Sequence, residues 1–454
     1  MKVLLLNPPA KGGQSRDRCE TEGSAWLNAF PPTTFASIAG CVREKYPLSV
    51  MDCVGSGTGY EKAKEQAIGY HPDYIVLNTS TPTIDSDIRI AGEISKACGA
   101  KVIAFGEYVT SRYAELLSAG LIDYAILGEP ETPVMRILAG EPNSCGVAMA
   151  GWDGGKWMEP DLDSLPFPAY DLLPVYRYPL TGERWMFVRT GRGCPYKCIY
   201  CIEPSVSPKP RTHSIDYLIR QFKWLIDDLN IRVFMLWEDV ATFDKQHMIS
   251  LCERMVEEGL NRRCKWFCTT RVDRFDDEVA HHMAAAGCRM MTFGFESGNQ
   301  EVLDLNRKGI TLQQSREAVR AAKKNGIMTI GHFIIGLVGD NPKRARETAR
   351  FARELGLDFA QFYVATPFPG SEFYRMAKEK GWIDGADMRG VQQGIASVSY
   401  PDFTKNEMQR ERRDAFLRFY LRPQAVISSI RARSLSNLLM LPFQALKFSG
   451  WALK

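Results

Sequence analysis

The stretch Trp185-Met186-Phe187-Val188-Arg189-Thr190-Gly191-Arg192-Gly193-Cys194-Pro195-Tyr196-Lys197-Cys198-Ile199-Tyr200-Cys201 joins a short apolar run to three cysteines, separated by three and then two residues. The run reads as a β-strand and the glycine-bearing segment after it as a loop. Downstream the same alternation repeats. Apolar runs at Val233 to Glu238, Lys265 to Thr269, Met290 to Glu296, Met328 to Ile335 and Ala360 to Ala365 are separated by helical periodicity. The helices fall at about Ser214 to Asp228, Lys245 to Glu258, Asp276 to Ala286, Leu312 to Asn325 and Pro342 to Leu355. Six strand–helix units are two short of a closed eightfold barrel. The sequence therefore predicts a partial (βα)6 TIM-type barrel over 182–380, with its site at the C-terminal mouth of the strands.

Working outward toward the N-terminus, short β-branched runs at Lys2 to Asn7, Leu48 to Val54, Tyr74 to Thr79, Lys101 to Gly106 and Tyr124 to Gly128 alternate with helical patterns. Parallel neighbours need crossover helices, so this pattern predicts a flavodoxin-like, doubly wound parallel α/β sheet over 1–138. Ligands of such sheets sit beyond the strands' C-terminal ends. That places Thr79-Ser80-Thr81-Pro82-Thr83, Phe105-Gly106-Glu107 and Gly128-Glu129-Pro130-Glu131 at a binding edge. Residues 139–181 are rich in proline and read as an ordered linker; 381–454 reads as mainly helical, with Leu438 to Leu453 expected to pack on the barrel.

Composition narrows the function. Of 454 residues 45% are hydrophobic and 24% charged; Lys and Arg number 57 and Asp and Glu 53, a net charge of +4 without a dense basic cluster. This favours small-molecule chemistry over nucleic acid. No apolar run approaches the roughly 20 residues of a membrane span, and the N-terminal run continues into folded-looking sequence, so a cytoplasmic protein is expected.

The three thiols carry the chemistry. Thiolates bind iron–sulfur clusters, and three on one compact loop leave a four-iron cluster with one iron lacking a protein ligand. Zinc is the alternative, with His213, twelve residues beyond Cys201, as the next histidine. Cys19, Cys41, Cys53, Cys98, Cys145, Cys252, Cys264, Cys268 and Cys288 form no comparable cluster, and His332, inside the fifth barrel strand, either faces the barrel interior or, as the favoured reading, is a satisfied core histidine.

At Cys194, Cys198, Cys201 and the aromatic Tyr200 the chain resembles the radical S-adenosylmethionine (SAM) superfamily, whose motif is Cys-x3-Cys-x2-Cys. The resemblance implies a [4Fe–4S] cluster on the three cysteines. SAM would bind the open iron and be cleaved to a 5′-deoxyadenosyl radical, and an electron donor of flavodoxin or ferredoxin type would supply the reducing electron. It further implies SAM contacts from Glu238 or Asp239 to the amino group, Arg271 and Ser297 to the carboxylate, Glu296 to the ribose, and backbone at Ile335 and Gly336 to adenine. A helix-capping role is the plain alternative for each acid. Tyr200 and Glu203, flanking the third cysteine, are the candidate catalytic side chains.

Over roughly 1 to 380 the chain resembles the cobalamin-binding radical SAM enzymes, which implies cobalamin at Thr79, Ser80 and Gly106. Where members often read Gly-Gly-Pro-His, this chain has Phe105-Gly106-Glu107-Tyr108. The implied function is cobalamin-dependent methyl transfer to a C–H carbon of a small-molecule biosynthetic intermediate. The alternative is cobalamin-free radical dehydration of an aminoglycoside-like amino sugar with a separate reductase, for which acidity at Glu107, Glu203, Glu238 and Asp239 would suit a cationic substrate. Gly106→Val is expected to expel cobalamin while sparing the fold.

Overall fold

The computed structural model describes residues 1–9, 30–177, 181–383, 388–389, 391, 393–423 and 427–428; Cys19 and the 438–453 stretch lie outside them. The first sheet is built from β1 (Val3–Asn7), β2 (Leu48–Asp52), β3 (Tyr74–Asn78), β4 (Lys101–Phe105) and β5 (Tyr124–Ile126), in the order β2-β1-β3-β4-β5, all parallel. This is the flavodoxin-like doubly wound order. Alternate residues of one strand enter different cores. Leu4 and Leu6 join Ile75, Leu77 and Val102 on one face, while Val3 and Leu5 join Val76, Ile103 and Phe105 on the other. Burial on both faces is why these strands read as continuous apolar runs.

The segment 139–181 holds more structure than a linker. Strands β6 (Val147–Met149) and β7 (Trp152–Asp153) form a hairpin that adds to β5 antiparallel, so the sheet is mixed at that edge rather than wholly parallel. β7 is exposed on both residues, and strands this short carry too little alternation to be read from sequence.

The second sheet begins with β8 (Trp185–Val188). A two-residue strand, β9 (Gly191–Arg192), then pairs antiparallel with β10 (Arg211–Thr212) and brackets the cysteine loop. β11 (Val233–Leu236), β12 (Lys265–Thr270), β13 (Cys288–Glu296), β14 (Met328–Ile335) and β15 (Phe359–Val364) follow, and the six-stranded sheet runs β8-β11-β12-β13-β14-β15, parallel throughout and open between β8 and β15. The open edge at β15 is covered by the helix Lys405–Tyr420. The Tyr420 hydroxyl donates to the Ala360 carbonyl (2.8 Å) and accepts from the Ala360 N–H (3.1 Å), occupying ladder positions that a seventh strand would fill. Among the described residues no helix is long and apolar enough to cross a membrane.

A buried ion network joins the two sheets. Arg192 donates to both carboxylate oxygens of Glu131 (2.7 and 3.0 Å) and lies 3.3 Å from Glu129, which also pairs with Arg211. Glu131 is fully buried. Burial alone would raise its pKa, but the Arg192 charge and hydrogen bonds win and hold it down to about 2. A carboxylate held below its ordinary value of 4.5 stabilises fully above that value, and the contribution is lost as pH falls from about 4.5 toward about 2. Glu131→Gln leaves Arg192 without its bidentate partner and is expected to cost about 3–5 kcal/mol. Denaturant titrations at pH 7 and pH 3 should show the variant's deficit shrinking at the lower pH.

Candidate active site at the mouth of the second sheet

Inward-pointing residues of β11 to β15 enclose a cavity of about 440 Å³. Its floor is apolar, made by Met235, Phe267, Met290, Ile330 and Phe359. Above these, Thr269, Thr292, His332 and Gln361 form a polar belt, and Glu238, Asp239, Arg271, Glu296, Tyr200 and Cys201 stand at the mouth. Alternation along each strand produces the layers, because every second residue faces the cavity.

The cysteine loop closes one side of the mouth. Cys198 is buried and Cys194 and Cys201 are partly so; all three are free thiols. Burial pushes the Cys194 and Cys201 thiols up, and the Glu203 N–H donates to Cys201 Sγ at 3.4 Å. Among the described residues no three His, Cys, Asp or Glu side chains stand around a single metal ion. His213 is committed elsewhere, bonded to Asp163 at 2.9 Å and stacked on Tyr217, so the zinc alternative lacks its further ligand. A four-iron cube instead takes each thiolate on a separate iron, and three thiols on one loop, with an N–H directed at sulfur and a cavity alongside, suit that donor set.

Glu296 ends β13 with a φ of +63°, unusual for a residue with a side chain. The β13–β14 register shifts between Gly294 and Glu296, and the resulting bulge turns the carboxylate inward, where Lys308 Nζ donates to it at 2.7 Å. A Cβ on Gly294 would stand 2.5 Å from that carboxylate, so the ion pair requires glycine there. Lys308 was not anticipated from sequence; its only local signal is its place between Arg307 and Gly309, both with positive φ. Arg271 lines the mouth, but its guanidinium is held by Asp273 (2.9 and 3.2 Å) and the Lys308 carbonyl (2.7 Å) and lies over the Tyr196 ring. Burial raises the Glu238 carboxyl to about 7, against the Thr190 hydroxyl bonded to it, which favours the ionised form.

Three anticipated residues do not reach the cavity wall. Ser297 is buried beside the following helix, bonded to Thr348 and to the Asn299 N–H. The Ile335 side chain lies in a separate core and its carbonyl accepts from the Ala365 N–H. The Gly336 N–H donates to Asp340 at 2.8 Å and its carbonyl accepts from the Tyr400 hydroxyl at 2.8 Å. Of the two readings for His332, the structure takes the side chain facing the barrel interior over the favoured core histidine.

A second cavity, of about 150 Å³, lies at the C-terminal ends of β3, β4 and β5 and is lined by Thr79, Ser80, Gly106, Gly128 and Glu129. Glu107, Glu203, Trp237 and Asp239 line both cavities, so the two meet along one wall. The Thr79 hydroxyl is buried without a hydrogen-bond partner among the described residues, an orphan that a polar ligand would satisfy. Gly106 is also required by the fold: at φ +122° a Cβ would stand 2.4 Å from the Thr79 carbonyl oxygen. Gly106→Val would therefore distort the loop whether or not a ligand binds, which overturns the expectation that it spares the fold.

Residues 188–352 match the radical SAM superfamily, whose members use a [4Fe–4S] cluster and SAM; this part of the chain is a radical SAM domain and the protein an enzyme of that kind. The chain is 29% identical over 447 residues to an uncharacterized methyltransferase of Pyrococcus horikoshii, covering 95% of both chains. Its fold matches the radical SAM methyltransferase TsrM from Kitasatospora setae, solved with cobalamin and a [4Fe–4S] cluster, at a TM-score of 0.67 and 14% identity, covering 96% of this chain and 91% of that one. It also matches OxsB, a cobalamin-dependent SAM radical enzyme solved with aqua-cobalamin and SAM, at a TM-score of 0.69 and 14% identity, covering 90% of this chain and 65% of that one.

Lys308→Met should leave Glu296 buried and unpaired at the mouth and cost about 3 kcal/mol or more, read by chemical denaturation. Combining it with Glu296→Gln should recover much of that loss, since both charges are then gone.

Proposed function

We propose that the protein is a cobalamin-dependent radical SAM methyltransferase acting on a C–H carbon of a small-molecule biosynthetic intermediate. The observation that carries this reading is the shared wall: the crevice at the ends of the first sheet and the cavity beside the cysteine loop meet at Glu107, Glu203, Trp237 and Asp239. A ligand in either is next to a ligand in the other, which two cofactors working on one carbon require.

In this reading Cys194, Cys198 and Cys201 hold the cluster, Glu238, Asp239 and Glu296 face SAM at the mouth, and Thr79, Ser80 and Gly106 border the corrinoid. When bound, the cluster and SAM supply the hydrogen-abstracting radical and cobalamin carries the methyl group. The chain supplies position and exclusion. The apolar floor keeps water from the reacting carbon. The Glu296–Lys308 pair holds a carboxylate at a fixed depth below the cysteine loop, and Glu238, near neutrality at pH 7, can hold or release a proton at its carboxyl oxygen. Arg271 serves as a positioning residue, clamped by Asp273 and bracing the Lys308 loop. Tyr200 and Glu203 flank the cluster on the cavity side, and the electron comes from an external donor of the flavodoxin or ferredoxin class.

The test is anaerobic purification from cells supplied with hydroxocobalamin. About four irons per chain, stoichiometric corrinoid absorbance and formation of S-adenosylhomocysteine are expected. Replacing Cys194, Cys198 and Cys201 with alanine should remove the iron and abolish SAM cleavage. Corrinoid-free protein that yields 5′-deoxyadenosine alone would decide for radical dehydration instead.

A further inference from the structure

His332 has no place in the function so far, yet it occupies the middle of the main cavity. On β14 it lies level with Gly294 on one side and Gln361 on the other. Gly294 has no side chain, and the space over it on that side is taken by the Glu296–Lys308 pair. Tyr363 stands edge-on to the ring at 5.5 Å between centroids. No hydrogen bond reaches the imidazole from any described residue. Gln361 Oε1 accepts from the Tyr363 hydroxyl, which leaves its NH2 group to the cavity.

The surroundings sort the ligands this belt can take. Below it, Ile330, Phe359, Met290 and Phe267 offer only hydrocarbon and ring surface. Above it, the cations among the described lining residues are Arg271 and Lys308, and Asp273 and Glu296 neutralise them. An anion would find no free positive partner, and burying it unpaired is costly; a cation at the height of the imidazole would find only Glu296, already paired with Lys308, because Glu238 and Asp239 stand at the mouth and Glu107 and Glu203 in the wall shared with the second cavity. Burial holds the imidazole itself neutral, with its pKa lowered to about 4, so the ring presents one N–H donor and one acceptor nitrogen at neutral pH.

We propose that His332, with Gln361 beside it, is the specificity-determining residue of the main cavity, and that it selects an uncharged substrate with an apolar end on the floor and one neutral hydrogen-bonding group, an amide or an alcohol, at the height of the imidazole. The inference deepens the methyltransferase reading and rests on it. The imidazole and the Gln361 amide together match a group that both donates and accepts, which a hydroxyl or carboxamide does and a carboxylate does not. A site built from buried polar groups rejects a ligand that leaves them unpaired.

The experiment uses the holoprotein, reconstituted with its cluster and saturated with SAM, and three probes that share one ring: benzamide, benzoate and benzylamine. Calorimetry should show benzamide binding at least about tenfold more tightly than either charged probe. His332→Phe should lose that preference by about tenfold, and His332→Gln, which keeps a neutral donor and acceptor, should retain it. SAM affinity and the slow substrate-free release of 5′-deoxyadenosine should match wild type in both variants. Benzoate or benzylamine binding as tightly as benzamide, or unchanged benzamide binding to His332→Phe, would overturn the proposal. Loss of SAM cleavage in His332→Phe would also overturn it, by placing the ring on the SAM side, while leaving the radical SAM assignment intact. If wild-type protein fails to cleave SAM at all, the methyltransferase reading fails first, and the difference between the two failures is visible in the wild type alone.

Discussion

Arg192 is buried between the carboxylates of Glu131 and Glu129, and the geometry of both cavities depends on it. Taking ions out of water costs several kcal/mol each, and the cost is recovered only by close, bidentate contact. Here the contact is made between the start of the helix Glu131–Leu138, at the end of the first sheet, and a strand that ends two residues before the first cysteine. The cysteine loop is therefore fixed relative to the binding edge of the other sheet, rather than only to its own barrel. Arg211, from the strand that closes the loop's far side, reaches the same Glu129. Both ends of the loop are tied to one turn.

What the sequence made legible followed from how local each signal was. The parallel strands were readable because burial on two faces leaves unbroken apolar runs, and five barrel helices fell within a residue of their observed ends. The cysteine loop was readable because its chemistry sits within eight residues. Arg192 and Glu131 are 61 residues apart and Lys308 and Glu296 are 12 apart, with no periodicity relating either pair. Met290, Thr292, Gly294 and Glu296 all line the cavity, so Ser297 falls on the other face and turns toward Thr348, although the family resemblance implies a SAM contact there. The two readings for His332 stay open in the sequence because, with both faces of β14 largely apolar, parity cannot reveal which face is hollow.

The two cavities differ in character although they share a wall. The larger is dry at its base and acidic at its rim, and its basic groups are already paired. The smaller is bordered by small polar side chains and glycines on the first sheet's side and by charged residues, Arg189 and Arg192 among them, on the other, with the Thr79 hydroxyl unsatisfied. Glu107, which stands in place of a smaller residue in the resembled family, belongs to the wall they share. Its bulk and charge therefore act on both compartments at once.

The helix Lys405–Tyr420 has a consequence for how the polypeptide is made. Every strand of the barrel sheet has left the ribosome once residue 364 has emerged, but the outer ladder of β15, where the Val364 N–H donates to the Gln393 carbonyl, is completed only when Tyr420 reaches Ala360. For the time it takes to synthesise the residues between them, the nascent sheet offers an unpaired edge to any neighbouring chain. A premature stop or proteolytic nick in that interval leaves a product with all six strands and an open side, a ready template for pairing with another chain.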